Sequence, residues 1–113
     1  MNDAIGIIEM FGFVSAITAA DAAAKAADVK VIAIDSNKPA NAESVEVPLI
    51  MAVKVQGSVS AVKAAVDAAA RAAEACSGLI HTHVIARPTD DCEKMANRTS
   101  VGRDKVGHIK NNA

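Results

Sequence analysis

The chain has 113 residues and a formal net charge of −1; hydrophobic residues make up 51% of it and aromatic residues 2%. This length predicts one domain with a single modest core. Because charge is nearly balanced and there is no basic stripe with stacking aromatic side chains, we expect no nucleic-acid partner. Much of the apolar content is alanine, which buries little surface, so we expect homo-oligomer formation to supplement a thin core.

The predicted strands and helices alternate along the chain. Short β-branched runs predict strands over 4–9, 29–34, 47–55 and 79–86. Alanine-rich segments predict helices over 13–27 and 59–76, and a short helix is expected over 90–97. Ser58 is a predicted N-cap of the second helix, and Gly78 is expected to stop it.

An internal repeat joins the two halves of this pattern. Asp21-Ala-Ala-Ala-Lys25-Ala-Ala-Asp28 returns 46 positions later as Asp67-Ala-Ala-Ala-Arg71-Ala-Ala-Glu74, with every alanine and charge sign kept. Two copies of one supersecondary unit in the order β-α-β-β-α-β predict an α/β (α+β) fold of the ferredoxin-like type. In that fold both helices lie on one face of a four-stranded antiparallel sheet. We expect one domain over 1–97 and a flexible tail over 98–113.

The cysteines and the N-terminus indicate a cytoplasmic protein. Cys76 and Cys92 fit neither a disulfide framework nor a zinc pattern, which favours a reduced compartment. The N-terminal apolar run lacks the basic start of a signal peptide. Glu9 and Asp21 interrupt it before the length of a membrane span, so we expect no membrane partner.

Catalytic and metal-binding patterns are weak. His81 and His83 share one strand face, but no third ligand lies at a telling spacing, so we expect packing or interface histidines and no metal. No nucleophile with a base can be named. Lys25 and Arg71 each follow an aspartate by four residues, which predicts ordinary helix ion pairs; for Arg71 we keep that interpretation.

The connection over 35–48 is long for so small a domain, and long loops tend to be functional. It contains no glycine, which argues against a phosphate-binding cradle.

Several ordered motifs lie between residues 3 and 96. They are Ala4-Ile-Gly-Ile-Ile-Glu9, Ala19-Ala-Asp-Ala-Ala-Ala-Lys25-Ala-Ala, Val55-Gln-Gly-Ser-Val59 with Ala61-Val-Lys-Ala-Ala65, and His83-Val-Ile-Ala-Arg87-Pro88. Together they resemble the hexamer-forming shell proteins of bacterial microcompartments. The resemblance implies a structural protein without enzymatic activity or cofactor, whose flat hexamers tile the shell of a carboxysome or metabolosome around central pores. Implied partners are other shell proteins (pentamers and tandem-domain trimers), encapsulated enzymes and small metabolites.

The resemblance also implies roles for three residues at the hexamer edge. Lys25 corresponds to the family's edge lysine, which lies antiparallel to its counterpart across the seam between hexamers. Arg87 matches the arginine that reaches into the same seam. Asp28 stands where the family commonly has asparagine, so hydrogen bonding at the seam is expected to differ, with a charge-assisted bond to lysine remaining favourable.

The predicted pore segment departs from the family. Similar proteins have a short Lys-Ile-Gly-Ser-Gly turn facing the sixfold axis, whereas this chain has the 35–48 segment, about eight residues longer. The family's pore location therefore carries over to this chain, but the family's pore selectivity does not. A catabolic metabolosome is mildly favoured over a carboxysome.

Charge repulsion limits which residues can line the pore. A ring of carboxylates with neighbours 6 Å apart would cost roughly 3 kcal/mol per adjacent pair at an effective dielectric of 20. We therefore expect neutral residues at the narrowest point and charged ones further out or cross-paired. The neutral set is Ser36, Asn37, Asn41 and Ser44, and the charged set is Lys38, Glu43 and Glu46. A second possibility is that the long loop folds over the axis and occludes it.

Two other functions fit the predicted fold. A trimeric small-molecule or nucleotide sensor, similar to the nitrogen-regulatory proteins, also has a long loop between the second and third strands. This loop, however, has no tyrosine and few basic groups to hold a polyphosphate. An enzyme of acylphosphatase type is a more distant alternative, because no phosphate-loop arginine lies near the first strand.

Overall fold

The computed structural model describes residues 2–37, Glu43 and residues 49–99. The elements, in chain order, are β1 (Ala4–Phe11), α1 (Phe13–Ala26), β2 (Lys30–Asn37), β3 (Ile50–Gly57), α2 (Val59–Glu74), β4 (Leu79–Ile85) and α3 (Asp90–Ala96). This order, including the short last helix, confirms the predicted sequence of elements.

The four strands form one sheet in the order β2-β3-β1-β4, and every neighbouring pair is antiparallel. β1 and β3 lie in the centre, and β2 and β4 are the outer strands. Each helix therefore connects two parallel strands that have a third strand between them. This is the predicted ferredoxin-like arrangement.

The core lies between the two long helices and one face of the sheet. The sheet supplies its larger side chains, which are Ile8, Met10, Met51, Val53 and Val55. The helices supply mainly alanines, which are Ala16, Ala19, Ala20 and Ala23 from α1 and Ala65, Ala69 and Ala73 from α2, together with Val62 and Val66. Since alanine contributes little apolar area, the predicted thin core is confirmed.

Close packing of α2 on β1 depends on Gly6. A Cβ atom at this position would lie 2.6 Å from Val66 Cγ2 and 2.8 Å from Val62 Cγ1. Both distances are shorter than side chains tolerate, so a larger residue would displace the helix or force a change of rotamer.

The two long helices begin differently. α2 follows Ser58, whose hydroxyl accepts a hydrogen bond from the Ala61 N–H at 3.2 Å, as predicted for an N-cap. α1 follows Gly12, which has a φ of 89° and makes no side-chain cap bond. Beyond α2, Gly78 has a φ of 107° and donates its N–H to the Ala73 carbonyl, which confirms the predicted stop.

β2 is longer than predicted and β3 begins later than predicted, so the connection between them covers 38–49. The prediction ended this strand at Ile34, but the ladder continues as Asp35 opposite Ala52, Ser36 opposite Met51 and Asn37 opposite Ile50. β3 begins at Ile50, whereas we expected it to begin at Val47. Hydrogen bonding to a neighbouring strand outweighs the low strand propensity of these polar residues.

After β4 the chain returns across the sheet. β4 is one outer strand, whereas the Thr99 hydroxyl bonds the backbone of Ile34 on β2, the other outer strand. Arg98 and Thr99, which the prediction placed in the tail, thus contact the sheet; residues 100–113 lie outside the described residues. Within residues 2–37, 43 and 49–99, no helix has the length and apolar character needed to cross a membrane.

Candidate assembly surfaces and pore segment

The predicted edge residues and the predicted pore segment lie at opposite ends of the sheet. At one end of the sheet, β1 and β2 begin and β3 and β4 finish. The pairs there are Ala4 with Gly57, Ile5 with Ile85 and Lys30 with Gln56. Lys25 and Asp28 precede β2, and Arg87 follows β4, so all three belong to this end. The 38–49 connection leaves the other end. Strands of eight residues separate the two ends by about 25 Å at ~3.3 Å per residue.

The three predicted edge residues are all exposed, but they do not form one cluster within the chain. The Lys25 side chain is 74% exposed, and its ammonium lies 2.7 Å from the Asp21 carboxylate, so the predicted helix pair is present. Asp28 and Arg87 are exposed as well. Asp28 precedes one outer strand and Arg87 follows the other, which places them roughly 14 Å apart across three strand spacings.

The predicted pore residues are described only in part. Ser36 and Asn37 are exposed at the end of β2 and pair with β3, so they lie on the strand that leads into the loop. Glu43 is exposed. Lys38, Asn41 and Ser44 lie outside the described residues, as does Glu46. The pore-lining roles of all these residues stay predictions.

The two histidines of β4 lie side by side on an exposed face. The rings of His81 and His83 are stacked, with centroids 6.5 Å apart and an angle of 15° between their planes. Across the sheet they lie opposite Glu9 and Ile7. Among the residues that the structure describes, no group of three or more His, Cys, Asp or Glu side chains could hold a metal ion.

An exposed apolar surface on α1 was not predicted. Phe13, Val14 and Ile17 are all exposed, and Val14 is 71% exposed. In the second copy of the repeat, the residues 46 positions after Val14 and Ile17 are Ser60 and Lys63. Comparison of the two copies position by position would have revealed this difference.

A buried lysine was also missed. Lys54 is 7% exposed, and its ammonium pairs with the Asp35 carboxylate and donates to the Arg98 carbonyl at 3.0 Å. Its place between Val53 and Val55 predicts the side of the sheet on which it lies. The carbonyl that accepts from its ammonium lies 44 residues further along the chain, which a strand pattern does not indicate.

Comparison with known proteins identifies the family. A family model described as "BMC domain" matches residues 4–88. The bacterial microcompartment shell protein EutM of Salmonella typhimurium is 40% identical over 93 residues, which cover 82% of this chain and 88% of the relative. The shell protein PduA of Citrobacter freundii is 39% identical over 94 residues, which cover 83% and 91%.

A solved structure agrees with these relatives. The crystal structure of a microcompartment protein from Desulfitobacterium hafniense matches with a TM-score of 0.68 and 30% identity over 83% of this chain. The chain spans about half of that protein, since the match covers 48% of it. The predicted family and the location in a microcompartment shell are therefore confirmed. The chain belongs to the BMC domain family and is a bacterial microcompartment shell protein.

Proposed function

We propose that this shell protein forms flat homohexamers that tile edge to edge, with a central pore that passes small metabolites. The proposed role is structural and not enzymatic. Its support is the similarity to EutM and PduA, shell proteins whose length the match covers almost completely. The proposed partners are copies of the same chain, pentameric and tandem-domain trimeric shell proteins, and the enzymes inside the compartment.

The observation that carries this proposal is the separation of the two candidate sites along the sheet. In a cyclic ring each subunit directs one end towards the axis and the other towards the perimeter. The 38–49 connection leaves one end, while Lys25, Asp28 and Arg87 belong to the opposite end. A subunit with this layout can contribute to a central pore and to an outer seam at the same time.

The placement of Lys25 and Arg87 supports contacts between hexamers. Lys25 lies in the last turn of α1, which leads into the outer strand β2, and Arg87 follows β4, the other outer strand. The two residues therefore meet most readily when they come from different chains. An exposed lysine beside exposed aspartates can exchange its partner at little cost, since surface ion pairs contribute roughly 0–1 kcal/mol. Lys25 can thus leave Asp21 to join a seam.

The charges near the loop support a neutral constriction. Every residue at the axis appears six times, so a carboxylate ring would require wide spacing, counterions or protonation. Ser36 and Asn37, which lead into the loop, are neutral and exposed. In the proposed pore they and the neutral loop residues Asn41 and Ser44 surround the narrowest point. The charged residues lie further out or pair with one another; they are Lys38, Glu43 and Glu46.

Replacing Lys25 by alanine tests the seam. Lys25→Ala should leave the hexamer intact in native mass spectrometry but reduce extended sheets and tubes in negative-stain micrographs. The matched control is Arg71→Ala, which changes the equivalent residue of the second copy and should alter neither. Dissociation of the Lys25→Ala hexamer would show that this residue lies at a different interface.

The wild-type particle separates a shell tile from the alternative sensor. Sixfold arrays or sheets in negative stain support the shell tile, whereas discrete trimers would support a sensor. For the pore, solute flux across assembled shells should change with Asn37→Ala. If only deletion of the loop increases the flux, the loop occludes the axis, and the proposed open constriction would be wrong.

A further inference from the structure

Lys54 is the one charged residue that is buried among those the structure describes. It lies on the central strand β3, between Val53 and Val55, whose side chains belong to the core on the helix side of the sheet. Lys54 therefore points to the opposite face, where it is nevertheless only 7% exposed. Burial of an ammonium group carries a large free-energy cost unless hydrogen-bonded or charged partners compensate for it.

Its partners come from two segments that are distant in sequence. One is the carboxylate of Asp35, which lies near the end of β2 and three positions before the start of the 38–49 connection. The other is the backbone carbonyl of Arg98, which accepts from the ammonium at 3.0 Å and follows α3. If either segment moves away, the ammonium loses a partner, because Lys54 itself belongs to the central strand β3.

A second contact joins the same two segments directly. The Thr99 hydroxyl donates to the Ile34 carbonyl and accepts from the Ile34 N–H, with an N–O distance of 3.3 Å. β2 is an outer strand, and outward-facing backbone groups on such strands are where further strands can pair. The Thr99 side chain thus occupies the place of a neighbouring strand at Ile34.

An irregularity in β2 brings these groups into register. The pairing with β3 shifts between Val31 and Ala33, so that Ala33 lies opposite Lys54. Asp35 consequently lies two residues along the same face, a diagonal neighbour within reach of a long side chain. Without the extra residue Ile32, the following part of β2 would present its other face to Lys54.

We propose that Lys54, Asp35, Arg98 and Thr99 form a clamp that makes the end of β2 and the segment after α3 depend on each other. Displacing the segment after α3 would loosen the strand that leads into the 38–49 connection, and the reverse would hold equally, because such coupling is reciprocal. A partner that binds the C-terminal segment could therefore alter the base of this loop. The clamp does not depend on the proposed pore.

Hydrogen exchange of the full-length protein, followed by mass spectrometry, tests the first direction. Thr99→Val removes the hydroxyl but keeps the shape, so peptides covering 34–37 should exchange about threefold to tenfold faster, as expected for the loss of one hydrogen bond. The matched variant Thr99→Ser keeps the hydroxyl and should exchange at the wild-type rate. Equal exchange of 34–37 in both variants would overturn the proposal.

The reverse direction uses Asp35→Asn and Lys54→Met. Each should accelerate exchange over 97–99 by a similar factor, whereas Lys94→Met, which changes an exposed lysine of α3, should not. Asp35→Asn keeps Lys54 in place and so provides the test if Lys54→Met fails to fold. Wild-type exchange over 97–99 in Asp35→Asn would contradict the clamp. Uniform acceleration that extends through α1 and α2 would do so too, because it would indicate general destabilisation.

Discussion

α1 and α2 are two copies of one helix, yet they present different surfaces to their surroundings. Both pack against the sheet through alanines. On its outward side, however, α1 exposes Val14 and Ile17, where α2 has Ser60 and Lys63 at the equivalent positions. The alanine face that builds the fold is kept in both copies, while the outward face differs. The repeat therefore explains the architecture, and the difference between the copies marks the surface where we expect association.

The starts of the two helices differ as well. One residue separates strand from helix in each copy, which is Gly12 between β1 and α1 and Ser58 between β3 and α2. Ser58 caps α2 with its hydroxyl. α1 begins after Gly12 without a side-chain cap.

The largest expected effect comes from giving α1 the outward residues of α2. Val14→Ser combined with Ile17→Lys should leave the subunit folded by circular dichroism but weaken its association on the order of a hundredfold. Burial of such side chains contributes about 1.5–3 kcal/mol each. Sedimentation velocity measures the loss. Ser60→Ala with Lys63→Ala is the matched control on α2 and should assemble normally. Unchanged assembly of the α1 variant would show that this surface faces solvent.

The next largest expected effect concerns the close packing of α2 on β1. Gly6→Ala should lower the free energy of unfolding by about 1–3 kcal/mol, because the new methyl group would overlap Val66 and Val62 of α2. Chemical denaturation of the protein measures this change. In a Val66→Ala background the same substitution should cost less; an equal cost in both backgrounds would assign the effect to the strand itself.

Removing the cap from α2 should have a smaller effect. Ser58→Ala deletes the hydroxyl that accepts from the Ala61 N–H and should destabilise the protein by about 1 kcal/mol. The shift of the thermal unfolding midpoint measures this loss. The control Ser60→Ala, in the first turn of the same helix, should shift the midpoint much less. If the two variants were equally stable, the cap would contribute nothing.

The smallest expected effect is the difference in coupling energy between two equivalent residue pairs, Asp21 with Lys25 and Asp67 with Arg71. Lys25 contacts Asp21, whereas Arg71 and Asp67, both of which the structure describes, form no ion pair, so the helix pair predicted for Arg71 was wrong. A double-mutant cycle should give a coupling of about 0.3–0.5 kcal/mol for the first pair and none for the second. The coupling should fall as salt concentration rises. Equal couplings in the two helices would remove this difference between the copies.

Some parts of this fold could be predicted because local chemistry decides them. Gly12, Ser58 and Gly78 mark helix ends through backbone freedom or capping, and these ends were found to within two residues. The strand order followed from the repeat and from the handedness of the connections. The family was recognisable from the ordered motifs.

Other parts depend on contacts between distant residues. Asp35, Ser36 and Asn37 have the composition of a loop, and only the neighbouring β3 makes them a strand. Lys54 has the pattern of a residue on the second face of the sheet, but its buried ammonium bonds the carbonyl of Arg98, 44 residues away. The exposed apolar side chains on α1 were not predicted, because the pattern of a helix does not show which of its apolar residues stay exposed.

The most direct test of the account is the orientation of the subunit in the assembled particle. Cryo-electron microscopy of the full-length protein should show six subunits around one axis. The Asn37 end of each sheet should lie nearest the axis, and Lys25 should lie at the perimeter beside a neighbouring hexamer. A trimer, or a ring in which Lys25 faces the axis and Asn37 the perimeter, would contradict the account.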